Sequence, residues 1–215
     1  MIEIEPKEFI PIDKQVATHF YYDSDFKAQS VKLLPGEYYV TNQDKLLVTV
    51  LGSCIAACIR DTSNGIGGMN HFMLPDGGTS DSKTPLNAPA RYGTYAMEVL
   101  INQLLKLGAR RANLEAKVFG GGNVMKELTT SNVGQRNADF VLKFLATENI
   151  RVTAKDLVDI YPRKVFFFPK SGKVMVKKLK GSQLNSISAQ EKSYSKQVNT
   201  FNNSSDSSGA VELFS

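Results

Sequence analysis

Apolar and polar positions divide this 215-residue chain into a readable succession of elements. Pro35-Gly36 signals a turn, and Tyr38-Tyr39-Val40-Thr41 has the β-branched and aromatic content of a strand. After a second turn at Asn42-Gln43-Asp44, Lys45 to Leu51 is almost continuously apolar, as expected for a strand buried on both faces. Cys54 to Arg60 and Ile66 to Leu74 are two further apolar runs. The polar cluster Asp61-Thr62-Ser63-Asn64-Gly65 between them predicts a β-hairpin. With a four-residue loop, Asp61 to Asn64, Arg60 faces Gly65 and Cys54 faces His71. A two-residue loop shifts the pairing by two and keeps both side chains on one face. An odd loop separates them, because side chains alternate with period two.

The second half alternates helices and strands. Ala90 to Leu107 carries Tyr92, Tyr95, Ala96, Val99, Leu100, Leu104 and Leu107 at helical spacing, with Gly108 placed to terminate the helix. Leu114 to Phe119 reads as a strand ending in Gly120-Gly121-Gly122-Asn123. A second helix is predicted from Gln135 to Thr147, with Ala138, Val141, Leu142 and Leu145 inward. Strands follow at Arg151 to Leu157, Lys164 to Phe168 and Lys173 to Leu179. Asp76 to Pro89 is a polar loop directly after the His71 strand and a candidate lid. Residues 1–30 read as a partly ordered N-terminal segment and 31–180 as the folded domain. In 181–215, Ser, Asn and Gln dominate, which predicts a disordered tail unable to bury enough surface to order itself.

Composition narrows the class. Hydrophobic content of 42% and charged content of 22% are those of a globular protein. No run approaches the ~20 apolar residues of a membrane span, and the N-terminus lacks a secretory pattern. A cytoplasmic protein with reduced thiols is expected. The net charge of +5 is mild. With no zinc-finger spacing and no aromatic–basic RNA motif, it gives no reason to expect nucleic acid.

The chemistry centres on scarce residues. The chain has two cysteines, Cys54 and Cys58, and two histidines, His19 and His71. Gly52-Ser53 breaks the strand just before Cys54, so backbone N–H groups freed there can form an oxyanion hole. A facing His71 would supply a base and lower the thiol pKa. Cys58, mid-strand between Ala57 and Ile59, fits plain packing. Cys54, Cys58 and His71 fall one short of a structural zinc set, and no second cluster completes it, so no metal is expected. The glycine run at 120–122 lacks the lysine and hydroxyl of a phosphate loop and reads as a tight turn shaping a pocket wall.

These residues carry a resemblance. Leu51-Gly52-Ser53-Cys54-Ile55-Ala56-Ala57-Cys58 and Gly67-Gly68-Met69-Asn70-His71-Phe72-Met73-Leu74-Pro75 resemble the chemoreceptor glutamine deamidases of bacterial chemotaxis, the CheD family. So do Lys117-Val118-Phe119-Gly120-Gly121-Gly122, Gly134-Gln135-Arg136-Asn137, and the stretch from Arg163 to Val174. The resemblance runs from about Pro35 to Leu179 and leaves the tail outside. It implies an α/β fold: a layered α/β sandwich of mixed, largely antiparallel sheets with two or three helices packed on one side. It implies a protein-glutamine deamidase that needs no cofactor, with Cys54 as nucleophile, His71 as base and Thr49 as third catalytic residue. Gly52, Ser53, Asn70 and Gly121 become candidates for the oxyanion and substrate pocket. The implied partners are the cytoplasmic helices of methyl-accepting chemoreceptors and a CheC-type phosphatase. Two alternatives stay open: a non-catalytic adaptor docking the same partners, and methylesterase activity at the same site.

Overall fold

A computed structural model describes residues 15–75, 88–124, 132–180 and 183–205. The predicted lid falls almost wholly outside the described residues, as do residues 1–14 and the tail past 205. Among the described residues ten strands form two five-stranded sheets. The first has the order β1 (His19–Asp23), β2 (Ala28–Leu33), β4 (Leu46–Leu51), β9 (Arg163–Phe168), β10 (Lys173–Lys178). The second has the order β3 (Tyr38–Thr41), β6 (Gly67–Asn70), β5 (Ile55–Asp61), β7 (Leu114–Gly120), β8 (Arg151–Leu157). Only β2–β4 and β7–β8 pair in parallel. The implied layered sandwich of mixed, largely antiparallel sheets is what the chain adopts.

Two crossovers explain where the helices lie. α1 (Ala88–Lys106) links β6 to β7 across β5, and α2 (Val133–Thr147) links β7 to the parallel β8. Both step in the same direction across the sheet, so connections of one hand put both helices on the same face. There Met97, Leu100, Ile101 and Leu104 of α1 and Ala138, Val141 and Leu145 of α2 pack on Ile55, Ala57, Ile59, Ala116 and Val118. The inward face of α1 is rotated from the predicted one: Met97 and Ile101 are buried, whereas Leu107 lies beyond the helix and is exposed.

The other core fills the space between the sheets. Leu33, Leu47, Leu51, Val165 and Phe167 of the first sheet meet Cys54, Ala56, Cys58, Met69 and Met73 of the second sheet and the loops continuing its strands. β4 is buried along nearly its whole length, as its apolar run predicts. β10 is an edge strand with its lysines exposed and Val174 and Val176 half-buried. Among the described residues no helix is long and apolar enough to cross a membrane.

The hairpin differs from expectation in register. Asp61 belongs to β5: its N–H donates to Ile66 O (2.8 Å), and the four-residue loop is Thr62 to Gly65. Asp61 ends the strand because its buried carboxylate accepts from Ser63 N (2.8 Å), Ser63 Oγ (2.6 Å) and Arg110 N (2.7 Å). Gly65 then supplies the left-handed φ of +72° that closes the turn. Cys58 pairs with Met69 and Ile55 with Phe72, so this register sets Cys54 opposite Met73, not His71. The shift is two residues. Parity is preserved, and Cys54 and His71 remain on the same face as diagonal neighbours.

The tail expectation is corrected over Gln183–Ser205, which forms a third helix, α3. Its residues Ile187, Glu191, Tyr194 and Val198 are buried. Tyr194 and Val198 join the inter-sheet core.

Candidate active site

Cys54 sits where the chain passes between the two layers. β4 ends at Leu51 in one sheet and β5 begins at Ile55 in the other, leaving Gly52-Ser53-Cys54 as the link. A three-residue link between sheets frees its N–H groups from either ladder. All three point to one spot. Gly52 N and Cys54 N donate to Glu191 Oε1 at 2.8 and 3.0 Å, and Ser53 N donates to Glu191 Oε2 at 2.7 Å. Ser53 Oγ adds a fourth bond, to Oε2, at 2.8 Å.

The glycine turn at 120–122 braces this link from behind, as a pocket wall. Gly121 N donates to Cys54 O (2.8 Å) and Gly122 N to Gly52 O (2.7 Å). A Cβ on Gly120 would lie 2.1 Å from Cys54 O. Asn137 of α2, fully buried, donates from Nδ2 to Ser53 O (2.8 Å) and accepts from Leu74 N at Oδ1 (2.9 Å). It ties the link to the segment after His71.

His71 follows the end of β6. The Gly36-Glu37 turn clasps its backbone: His71 N donates to Glu37 O (2.9 Å) and Gly36 N to His71 O (2.7 Å). Its ring meets Thr49 of the opposite sheet, with Thr49 Oγ1 and His71 Nδ1 2.8 Å apart. Thr49 Oγ1 donates its one proton to Leu33 O (2.9 Å), so it accepts from Nδ1–H. The neutral imidazole therefore carries its lone pair on Nε2. Nε2 has no hydrogen-bond partner among the described residues. Cys54 Sγ, a ring nitrogen of His71 and a carboxylate oxygen of Glu191 lie within 4.8 Å of one another.

Burial dominates the electrostatics. It pulls the His71 pKa down to about 4, with the Glu191 charge opposing. It raises the Cys54 thiol well above its ordinary value, and the nearby Glu191 carboxylate raises it further. Thiol and imidazole both rest neutral. Cys54, His71 and Glu191 have the ligand types of a metal site. However, four N–H and O–H donors already use the lone pairs of both Glu191 oxygens. That is an anion's environment, not a cation's.

Of the residues read from the sequence, Cys54, His71, Thr49, Gly52 and Ser53 come together, and Gly121 stands directly behind them. Asn70 departs from expectation. It borders the His71 backbone, but its amide is engaged toward α1: Oδ1 accepts from Ala57 N (3.0 Å) and Nδ2 donates to Ala96 O (3.1 Å). Residues of alternate parity point to opposite faces, so Asn70 faces the helices while His71 faces the first sheet. Cys58 is free, buried and outside the cluster. Glu191 and Tyr194 have no signal in the sequence beyond a four- and three-residue apolar spacing in a polar tail. Asn137 lies in a motif already noted.

Known proteins resemble this chain over most of its length. Residues 73–178 match the family model described as CheD chemotactic sensory transduction. A probable chemoreceptor glutamine deamidase CheD of Methylobacillus flagellatus is 59% identical over 204 residues, 95% of this chain and 98% of its own. The chain belongs to the CheD family. The corresponding proteins of Thiobacillus denitrificans and Janthinobacterium, which carry the same name, are 60% and 59% identical over 203 and 199 residues. They cover 94% and 93% of this chain, and 98% and 96% of their own lengths. The stretch aligned with the Methylobacillus relative leaves out 11 of 215 residues, fewer than the 23 of α3. Family likeness therefore reaches into the third helix of this CheD chain, beyond the resemblance legible by motif.

Proposed function

We propose that this CheD chain is a chemoreceptor glutamine deamidase. It hydrolyses glutamine side-chain amides on the cytoplasmic helices of methyl-accepting chemoreceptors to glutamate, releasing ammonia. The observation that carries this reading is the convergence, at one buried point, of a thiol, an imidazole with a free Nε2 lone pair and three backbone N–H donors.

The reaction is acyl transfer. Cys54 Sγ gives its proton to His71 Nε2 and attacks the carboxamide carbon, forming the S–C bond and a tetrahedral oxyanion. N–H groups of Gly52 and Cys54 receive that oxygen; one such donor is worth about 3 kcal/mol. The imidazolium protonates the nitrogen, the C–N bond breaks and ammonia leaves. Water, deprotonated at Nε2, then attacks the thioester carbonyl. Collapse expels the Cys54 sulfur, which recovers its proton, and leaves glutamate. Thr49 acts by position: accepting from Nδ1–H keeps the lone pair on Nε2. A cavity of about 20 Å³ bordered by His71, Gly36 and Tyr92 has room for one water.

The test is ammonia release from a receptor fragment. Cys54→Ala and Cys54→Ser should each abolish it, while Cys58→Ala should retain it. Undiminished turnover in both Cys54 variants would sink the assignment. A CheC-type phosphatase is the second proposed partner, supported by the family resemblance. Co-elution of purified proteins on gel filtration tests it, and separate elution at micromolar concentration counts against it.

A further inference from the structure

α3 buries one stripe, Ile187, Glu191, Tyr194 and Val198, at steps of four, three and four residues. The rest of its described surface is largely Ser, Asn, Gln, Thr and Lys, and several of these are weak helix formers. Docking of the stripe therefore holds the helix in place. The buried polar member is unusual. Among the described residues Glu191 has no cation partner, only the four donors of the Gly52–Cys54 link. A carboxylate on a two-methylene stem is also what deamidation of glutamine leaves behind. Its Oε1, held by Gly52 N and Cys54 N, lies where the reaction's oxyanion must lie. Tyr194 packs over Gly36, whose added Cβ would come within 3.1 Å of the ring, and its hydroxyl meets that of Tyr92. With α3 seated, Cys54 is 0% exposed and His71 2%. No substrate amide reaches the thiol.

We propose that α3 is a built-in product mimic. Glu191 holds the place of the deamidated side chain, catalysis requires α3 to leave, and the vacated groove takes an α-helix presenting glutamine at that position. The inference rests on the deamidase reading and specifies its substrate. The acceptor is a helical glutamine with apolar residues four before, three after and seven after it, matching Ile187, Tyr194 and Val198. Withdrawing the Glu191 charge also removes one of the influences that hold the thiol protonated. Release of α3 thus exposes and activates the nucleophile together.

Four variants of the full chain test this. Glu191→Gln places a carboxamide on the nest, so the chain becomes its own substrate. Tandem mass spectrometry should find glutamate at position 191, and a Cys54→Ala, Glu191→Gln double variant should keep the amide. Glu191→Ala should speed iodoacetamide labelling of Cys54 about tenfold or more, as its open population grows. It should likewise raise ammonia release from a receptor fragment. Tyr194→Ala, which leaves the nest intact, should act in the same direction. Labelling and turnover equal to the parent in both Glu191→Ala and Tyr194→Ala would overturn the proposal. So would an introduced amide that persists while receptor glutamines are converted, with the deamidase reading still standing. Faster labelling with no amide hydrolysed by any variant keeps the plug and removes the deamidase reading instead.

Discussion

Thr49 shows how much one hydroxyl can decide. It is fully buried, bonds Leu33 O and His71 Nδ1, and so fixes which imidazole nitrogen is basic. Thr49→Val keeps the shape and removes the acceptor. We expect kcat for receptor deamidation to fall roughly tenfold to a hundredfold with little change in KM, and Thr49→Ser to recover most of it. Loss of KM alone would contradict a positioning role. His71 carries a second consequence. Its pKa is about 4 in the fold against an ordinary value of 6.5, so between those values the unfolded chain takes a proton that the folded chain refuses. Stability is full above about pH 6.5 and declines as pH falls toward 4, by up to about 3 kcal/mol. Urea unfolding from pH 7.5 to 4.5 should show that slope, and a His71→Asn variant should lose this part of it. The sequence made Cys54 and His71 legible because their residue types are rare and motif-bound, and Thr49 through the family resemblance alone. It could not give the tautomer, which follows from Leu33 O accepting the Thr49 proton.

At the scale of elements, the glycine turn after β7 and the link after β4 form one unit. Gly120 has φ +115°, and a Cβ there would strike Cys54 O at 2.1 Å. Gly108 has a similar φ of +105°, but its nearest neighbour, Ile66 Cδ1, is 3.6 Å away. Gly120→Ala should therefore cost about 3 kcal/mol and most activity, Gly108→Ala about 1 kcal/mol and none. Thermal unfolding of the pair checks this, and equal losses would show that φ alone matters. Strands and helices were readable where apolar periodicity is strong, as in β4, β5 and α2. The hairpin register was not. Whether Asp61 is a loop residue or the last residue of β5 depends on Arg110, which is distant in sequence and donates to its carboxylate. The inward face of α1 was likewise set by which side chains the sheet could accommodate.

At the scale of the molecule, two sheets and two helices enclose both cores, while α3 is held by one stripe across the mouth of the site. Its backbone should exchange hydrogen far faster than β5 and β7, whose strands are paired on both sides. Exchange mass spectrometry measures this directly; protection of 186–200 equal to that of 55–61 would mean that α3 belongs to the cooperative core. By itself the sequence marked most elements from β3 to β10 and the scarce thiol and imidazole, Cys54 and His71. Both follow from local periodicity and residue chemistry. Only the tertiary structure decided that Cys54 lies on the link between layers, that Asn70 turns away to α1, and that a polar tail folds back to set Glu191 on three N–H groups. Each depends on contacts between residues far apart in the chain. No local pattern encodes which distant partner will satisfy a buried donor.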